Sequence, residues 1–246
     1  TRGKIEFRHV TFAYDAEHPV LRDVSFVAEP GHTVALVGQT GSGKTSTINV
    51  LMRFYEFQGG QVLIDDRDIR DYPAEELRAK MGLVLQEPQL FYGDIQTNIR
   101  MFNPAISDEQ VQRAAHFVQA DEFIEQLPQG YATPVLERGT EYSAGQRQLI
   151  TFARTVVTDP KILILDEATA NVDTETETMI QTGLDRIQEN RTTIAIAHRL
   201  STIQNADLIL VLNQGKIVER GTNDDLMQQH GYYYDMIQLQ NSAHVE

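Results

Sequence analysis

The sequence of 246 residues contains no cysteine. A chain without cysteine can form neither a disulfide framework nor a cysteine-ligated zinc site, which fits a reducing compartment. The sequence also lacks any run of about 18 consecutive apolar residues, so no segment is predicted to span a bilayer. The residues from Thr1 to Lys4 show no apolar core of the kind that signal peptides carry.

Basic residues are scarce, with 21 Lys and Arg against 35 Asp and Glu, which gives a formal net charge of −14. No run of Lys or Arg predicts the basic face that a nucleic-acid-binding protein presents, so we expect no nucleic acid among the partners. Hydrophobic residues make up 41% of the chain, enough for the core of one sizeable domain. We therefore interpret residues 1–246 as one domain.

Short apolar runs alternate with helical stretches along the chain. Alternating apolar residues from Ile5 to Phe12 predict a strand, and Val24–Val27 is its expected hairpin partner. The run Thr33–Val37 is typical of a strand buried on both faces, and a glycine-rich turn and a predicted helix over Ser46–Tyr55 follow it. Three later runs have the same apolar composition, Ile162–Leu165, Thr193–Ala197 and Leu208–Leu212. The last run leads through a predicted hairpin turn into residues 216–219. This order predicts an α/β fold with a mostly parallel sheet and an N-terminal antiparallel region.

The middle of the chain has a different pattern. Between residues 94 and 158 the spacing is mainly helical, with Val111, Ala114, Ala115 and Val118 at helical intervals, and no buried strand is evident. We expect an α-helical subdomain at about 94–158, inserted into an α/β core formed by about 1–93 and 159–246.

A glycine-rich segment after the run Thr33–Val37 matches the phosphate-binding pattern G-x-x-x-x-G-K-[ST]. The glycines let backbone N–H groups approach phosphate oxygens, and the following helix directs its positive end at the same anion. Lys44 would place its charge on the β- and γ-phosphates, and the hydroxyl of Thr45 would bind Mg²⁺. The nucleotide-binding candidates are Gly38, Gln39, Thr40, Gly41, Ser42, Gly43, Lys44, Thr45 and Ser46.

Two carboxylates follow the apolar run Ile162–Leu165. Ligands of open α/β sheets bind where the strands end, so Asp166 and Glu167 are expected at the mouth of the sheet. Asp166 suits the shell of Mg²⁺, and Glu167 suits a general base that faces an attacking water. Taken alone, the pair could also be an acidic cap of the next helix, but it occurs together with a phosphate-binding loop.

These two motifs define a P-loop NTPase, and a third motif narrows the class. Tyr142–Gln148 reads Tyr-Ser-Ala-Gly-Gln-Arg-Gln and resembles the signature of ABC transporter ATP-binding domains, usually Leu-Ser-Gly-Gly-Gln. Order and spacing resemble that family from about Lys4 to Gln240. The resemblance implies an ABC ATPase fold, ATP and Mg²⁺ as ligands, and ATP hydrolysis coupled to transport.

The resemblance also implies roles for single residues. Tyr14 matches the aromatic residue that stacks on adenine, and a stacking face needs no base-specific contact. Gln86 matches the glutamine that reaches Mg²⁺ or the attacking water. His198 matches the histidine that contacts the γ-phosphate and orients the catalytic glutamate. The implied catalytic residues are thus Glu167, His198, Gln86 and Lys44, and the implied metal ligands are Thr45, Gln86 and Asp166.

In the ABC family the signature of one domain covers the γ-phosphate that a second domain holds. Ser143, Ala144, Gly145 and Gln146 would therefore contact the nucleotide of a partner, as would Asp173 in the segment that matches the D-loop. The implied partner is a second nucleotide-binding domain, identical or homologous, in a head-to-tail dimer that ATP holds together.

The sequence departs from the family pattern at two places. Ala144 replaces the first signature glycine, which adds a methyl group and forbids backbone angles that only glycine adopts. Residues 170–173 read Ala-Asn-Val-Asp where Ser-Ala-Leu-Asp is common. Such departures resemble one half of heterodimeric exporters, whose two ATP sites are unequal.

Two segments resemble exporters. Glu137–Gly139 is similar to the short segment with which exporters contact their membrane domain. Phe91–Ile99 is similar to the sequence that exporters usually have after the glutamine that Gln86 matches. The expected partners thus include the coupling helices of a transmembrane domain encoded by other sequence, with Phe91 and Tyr92 in the receiving cleft. The expected location is the cytoplasmic face of the cell membrane.

Three alternatives stay open at this stage. DNA-repair ATPases share these motifs but carry a long coiled coil between them, whereas about 120 residues without sustained heptads separate Lys44 from Asp166 here. A P-loop kinase or GTPase leaves the signature, Gln86 and His198 unexplained. A nucleotide-gated subunit that binds ATP and barely hydrolyses it is favoured by the departures and disfavoured by Glu167.

Overall fold

Three β-sheets, of six, four and two strands, and ten α-helices organise the part of the chain that the computed structural model describes, residues 2–167 and 174–243. The strands are β1 (Ile5–Asp15), β2 (His18–Ala28), β3 (Thr33–Val37), β4 (Gly59–Ile64), β5 (Arg67–Asp68), β6 (Met81–Val84), β7 (Gly93–Asp94), β8 (Pro134–Val135), β9 (Ile162–Asp166), β10 (Thr192–Ile196), β11 (Leu208–Asn213) and β12 (Lys216–Gly221). The helices are α1 (Lys44–Leu51), α2 (Ala74–Ala79), α3 (Ile95–Arg100), α4 (Asp108–Phe117), α5 (Asp121–Glu125), α6 (Ala144–Val156), α7 (Thr174–Gln188), α8 (Leu200–Asn205), α9 (Asn223–Gln229) and α10 (Tyr232–Ala243).

The six-stranded sheet has the order β12-β11-β3-β10-β9-β6. Strands β11, β3, β10, β9 and β6 run parallel, and β12 pairs antiparallel with β11. All residues of β10 and nearly all of β3 and β9 are buried, as expected for strands covered on both faces. The four apolar runs predicted as central strands are thus confirmed, as is the hairpin into β12.

The four-stranded sheet, in the order β2-β1-β4-β5, is antiparallel. Its first two strands form the predicted N-terminal hairpin, and Phe7 stacks on Phe26 across the pair. Strand β4 was not predicted, because it begins Gly-Gly-Gln and has only three apolar residues. Strand β6 was also missed, since its four residues include Gly82 and are too few to show a period.

Helix α1 differs from its prediction. It begins at Lys44, directly after the glycine-rich turn, and ends at Leu51 rather than Tyr55. Arg53 has φ of 54°, a left-handed backbone that cannot continue an α-helix. Of the apolar residues that the prediction placed beyond Leu51, Met52 is buried, whereas Phe54 and Tyr55 are exposed.

Four helices, α3 to α6, lie within residues 94–158 and pack around an apolar cluster. Ser107 starts α4 and Ser143 starts α6, each in a reciprocal hydrogen-bond pair with a glutamine three residues later. No buried strand was expected in this region, and the structure adds only a short pairing of β7 with β8 over two residues each. The limits of the subdomain at 94 and 158 stay a prediction.

The parallel strands decide where ligands can bind. Strands β3, β9 and β10 are neighbours with matched registers, so the loops that follow them emerge at one edge of the sheet. The phosphate-loop candidates follow β3, Glu167 follows β9 and His198 follows β10. Across residues 2–167 and 174–243, no helix has both the length and the apolarity needed to cross a membrane.

Candidate active site

A cavity of about 460 Å³ lies at this edge of the sheet. Its lining combines the phosphate loop with residues from four other segments, Val20, Thr40, Gly41, Gly43, Lys44, Thr45, Ser46, Gln86, Asp166, Ile196 and His198. Residues that are 158 positions apart in sequence, Thr40 and His198, thus face the same space. Val20 and Ile196 were not predicted as site residues, because an isolated apolar residue carries no sequence signal for a ligand.

The phosphate loop needs its glycines. Gly38, Gly41 and Gly43 have φ of 150°, 82° and 113°, backbone conformations that other residues rarely adopt. A side-chain carbon on Gly38 would lie 2.4 Å from the carbonyl oxygen of Leu212. The backbone at Gly38 therefore packs closely against Ser42. The hydroxyl of Ser42 is buried and has no hydrogen-bond partner among the described residues. An orphaned buried donor beside positive-φ glycines fits the binding of phosphate oxygens.

Lys44 is the first residue of α1 and lines the cavity. Its Nζ donates a hydrogen bond of 2.5 Å to the carbonyl oxygen of Gly38. Burial lowers the pKa of Lys44, and the charge of Asp166 opposes that change. The ammonium group therefore stays close to a carboxylate in a partly dehydrated place, where its attraction for phosphate is stronger than in water.

Asp166 ends β9 and faces the same cavity. Its Oδ1 accepts a hydrogen bond of 3.4 Å from Nε2 of Gln86, which lies in the segment after β6. Burial raises the pKa of the Asp166 carboxyl, while His198, Gln86 and Lys44 each oppose the rise. The surroundings thus include three groups that favour the carboxylate form.

The donor set fits a magnesium ion held jointly by protein and phosphate. Asp166 offers a carboxylate, Gln86 an amide oxygen and Thr45 a hydroxyl, and all three line one cavity. Mg²⁺ prefers such hard oxygen ligands and takes only one or two from protein when phosphates supply others. Among the described residues there is no group of three or more His, Cys, Asp and Glu that could hold a metal alone. The chemistry therefore fits a nucleotide-bound ion rather than a protein cage.

Glu167 lies next to Asp166 but faces another way. It is only 5% exposed and does not line the cavity. Its Oε1 accepts hydrogen bonds from the backbone amides of His198 and Arg199, and its Oε2 accepts one from the hydroxyl of Thr202. Burial raises the pKa of Glu167, and these three hydrogen bonds oppose the rise. Sequence reasoning missed Thr202, which stands on α8 without any motif of its own.

His198 follows β10 and lines the cavity beside Asp166. Burial lowers the pKa of its imidazole, the charge of Lys44 lowers it further, and Asp166 opposes both. A pKa below the ordinary value of about 6.5 leaves the ring neutral at pH 7. A neutral ring carries one N–H that can donate to a phosphate oxygen.

Tyr14 stands beside the phosphate loop with half of its surface exposed. Its hydroxyl lies 3.3 Å from Oγ of Ser46 and accepts a hydrogen bond from Nδ2 of Asn49. Its ring packs edge-on against Tyr55 with centroids 4.8 Å apart. Tyr55, itself 48% exposed, was not predicted as a site residue, and the pair presents an aromatic surface next to the cavity.

The signature residues are absent from the lining of this cavity. Ser143 and Gln146 bond to each other's backbone N–H groups at the start of α6, which explains their spacing locally. Ala144 is the first helical residue and has no positive φ, so the replaced glycine is not required by the backbone here. Gly145 is buried, and a side-chain carbon there would lie 2.9 Å from Sδ of Met179 on α7. Asp173 lies outside the described residues.

A buried polar network lies beneath the segment that follows Gln86. Arg154 of α6 donates to the carbonyl oxygens of Gln89 and Asn98 and to the Asn98 side chain, and its guanidinium lies 5.5 Å from the centre of the Phe91 ring. Asn98 is fully buried and bonds to the N–H and C=O of Phe91 and to the C=O of Asp94. Burial without a paired acid lowers the pKa of Arg154 to about 10. No sequence motif pointed to this network.

The fold and the cavity define a phosphate-loop ATP-binding domain, and comparisons identify its family. The model of the ABC transporter family matches residues 21–170. The ABC transporter ATP-binding protein exp8 of Streptococcus pneumoniae is 60% identical over 241 residues, which cover 98% of this chain and 41% of that protein. A fatty acid ABC transporter ATP-binding/permease protein of Mycobacterium bovis is 48% identical over 234 residues, covering 95% of this chain and 37% of that protein.

A solved structure of an ABC exporter is also similar to this chain. A bacterial Atm1-family ABC exporter with ATP bound superimposes with a TM-score of 0.88 at 42% identity, over 98% of this chain and 42% of that one. The chain belongs to the ABC transporter family, whose ATP-binding proteins are ATPases. The predicted fold and the predicted exporter-type resemblance are confirmed. The chain spans about two fifths of the length of the relatives it matches.

Proposed function

We propose that this chain hydrolyses Mg-ATP and powers the export of a substrate by a transmembrane domain at the cytoplasmic face of the cell membrane. The observation that carries the proposal is the cavity in which Lys44, Gln86, Asp166 and His198 meet the glycine loop. Family membership and the similarity to exporters support the direction of transport.

Each residue has a role that its surroundings support. The loop from Gly38 to Ser46 and the charge of Lys44 bind the phosphates, and the aromatic surface of Tyr14 takes the adenine. Asp166, Gln86 and Thr45 are the proposed ligands of Mg²⁺, which would neutralise phosphate charge when bound. The neutral imidazole of His198 donates a hydrogen bond to the γ-phosphate. Glu167 is the proposed general base.

The proposed active form is a head-to-tail dimer. Ser143 and Ala144 are exposed at the start of α6 and lie outside the lining of their own chain's cavity. A helix that begins at an exposed surface presents free N–H groups to an external anion. The signature of one chain would therefore cover the γ-phosphate of the other, with Asp173 in the same contact. The α-helical subdomain at about 94–158 carries this surface.

The proposed contact with the membrane domain includes the segment around Gln86 and Phe91 and parts of the helical subdomain. Large apolar side chains stand exposed in neighbouring segments of the chain: Leu85, Phe91, Tyr92, Met101, Phe102 and Leu136. A contiguous apolar patch marks an interaction site, and we propose that these side chains contribute to one. Coupling helices of a transmembrane domain would dock there, and the Arg154–Asn98 network holds the segment that bears Phe91 against α6.

The test is steady-state Mg-ATP hydrolysis by the purified chain over a range of protein concentrations. Turnover per chain should rise with concentration, and Glu167→Gln should reduce it by about 10²–10⁴, the usual loss when a general base is removed. Glu189→Gln, a change of an exposed residue at the end of α7, is the matched control and should behave like the parent. Parental turnover in Glu167→Gln would show that another group is the base.

The second candidate is a nucleotide-gated subunit that pairs with a different catalytic chain. It is favoured by Ala144 and by a Glu167 that does not face the cavity. It predicts ATP binding without turnover at any protein concentration. The conformation of Ala144 weakens it, because the alanine adopts an ordinary helical backbone at this position.

A further inference from the structure

The carboxylate of Glu167 is held behind the nucleotide cavity. Asp166 and His198 line that cavity, whereas Glu167 does not, and only 5% of its surface is exposed. Its Oε2 accepts the hydroxyl hydrogen bond of Thr202 at 2.7 Å. Its Oε1 accepts the amides of His198 at 3.0 Å and of Arg199 at 3.2 Å.

All three donors belong to one short segment, the turn after β10 and the first turn of α8. Arg199 contributes through its backbone amide, and its charge also favours the ionised carboxyl. Thr202 supplies the shortest of the three bonds and the only one from a side chain.

In this position the carboxylate of Glu167 is bonded to the turn after β10 and is not among the groups that line the cavity. A general base must come within about 2.6–3.2 Å of the group whose proton it takes. The two carboxylate oxygens offer about four acceptor positions, and the turn occupies three of them. A rotation of Glu167 toward the cavity would break at least one of these three hydrogen bonds.

We infer that Thr202 is a positioning residue that holds Glu167 in a resting position behind the cavity, and that Glu167 exchanges the Thr202 hydroxyl for the attacking water when hydrolysis occurs. This inference rests on the proposed role of Glu167 as general base. The transfer moves one proton from that water to the Glu167 carboxylate while the water oxygen attacks the γ-phosphorus and the bond to the β-phosphate oxygen breaks.

The turn that holds Glu167 is hydrogen-bonded to α7. The guanidinium of Arg199 donates to Oε1 of Gln181 at 3.0 Å and to Oε2 of Glu177 at 2.7 Å. A shift of α7 relative to β10 would therefore pull on the same turn whose amides hold Glu167. The resting position of the carboxylate is thus linked to the placement of a neighbouring helix.

The test compares Thr202→Val with Thr202→Ser in steady-state Mg-ATP hydrolysis by the purified chain. Valine keeps the shape of threonine and removes the hydroxyl, so the resting position loses one hydrogen bond to a charged group. We expect kcat to rise by roughly tenfold, the effect of losing one such bond, with KM and the Kd for ATP unchanged. Thr202→Ser keeps a hydroxyl and should retain the parental kcat.

Two further comparisons separate positioning from a general structural effect. Thr178→Val, on α7, removes a hydroxyl that donates a hydrogen bond to the carbonyl oxygen of Thr174. This variant should leave kcat at the parental value. In a Glu167→Gln background, Thr202→Val should give no gain, because the group that it releases is no longer a base. If Thr202→Val does not fold, Thr202→Ala removes the same hydroxyl and should show the same rise in kcat.

The outcomes distinguish this inference from the proposed function. An unchanged or lower kcat in folded Thr202→Val and Thr202→Ala would overturn the resting position. A gain that persists in the Glu167→Gln background would overturn it as well, because the gain would then arise elsewhere. Parental turnover in Glu167→Gln alone would instead refute the role of Glu167 on which the inference rests.

Discussion

Nε2 of Gln86 donates a hydrogen bond of 3.4 Å to Oδ1 of Asp166, although 80 positions separate the two residues in sequence. Gln86 follows β6, and the exposed side chains of Phe91 and Tyr92 stand a few residues further on. Asp166 ends β9 beside Lys44 and the phosphate loop. One hydrogen bond therefore connects the nucleotide cavity to the segment that the proposed membrane partner would contact.

Loss of the Lys44 ammonium should remove most ATP binding. In Lys44→Ala the phosphates lose the only lysine among the residues that line the cavity, so we expect the Kd for ATP to rise beyond the micromolar range. Equilibrium titration with a fluorescent ATP analogue measures it. Lys161→Ala, at an exposed lysine before β9, is the control. Retained micromolar affinity in Lys44→Ala would mean that the nucleotide binds elsewhere.

The segment after Gln86 should depend on Asn98 for its stability. Asn98→Ala leaves the N–H and C=O of Phe91 and the C=O of Asp94 without their partner in a buried place. Loss of such bonds costs about 1–3 kcal/mol, so urea denaturation should show a decrease of about 2–3 kcal/mol in the free energy of unfolding. Asn241→Ala, at an exposed position of α10, should change it by less than about 0.5 kcal/mol. Equal values for the two variants would contradict the network.

A negative charge at Phe91 should separate ATP hydrolysis from transport. Phe91→Asp removes an exposed apolar side chain that lies over Arg154, and the new carboxylate can pair with that guanidinium, so the fold should persist. We expect transport by the full transporter to fall at least tenfold, with basal ATPase activity within about twofold of the parent. Tyr232→Asp, at another exposed aromatic residue, is the control. Unchanged transport in Phe91→Asp would exclude this surface from coupling.

Alkaline pH should destabilise the domain partly through Tyr131. Burial, with the charges of Asp121 and Glu125, raises the pKa of Tyr131 from its ordinary value of 10.0 to about 12. Because the folded pKa lies above the unfolded one, this stabilisation is complete below pH 10 and is lost as the pH rises toward 12. Tyr131→Phe should therefore show a shallower decrease of unfolding free energy over that range. Tyr92→Phe, at an exposed tyrosine, should keep the parental slope, and the same slope in both variants would refute the prediction.

Much of the fold and part of the candidate site follow from sequence. The glycine loop, Lys44 and Asp166 were predicted from short patterns, because a phosphate loop needs particular residues at fixed spacing and parallel strands end at one edge. His198 was predicted from the resemblance to the ABC family. The roles of these residues stay predictions. Strands β4 and β6 were missed because their residues show too few apolar positions for a period.

The sequence by itself determined the class of the protein, the order of its central strands and the chemistry of the phosphate loop, since these depend on local patterns of residue types. Only the tertiary structure decided which way each side chain faces. It directs Asp166 into the cavity and Glu167 toward Thr202, although the two are adjacent. Neighbouring residues at a strand end point to opposite sides, and the partners on each side come from segments distant in sequence.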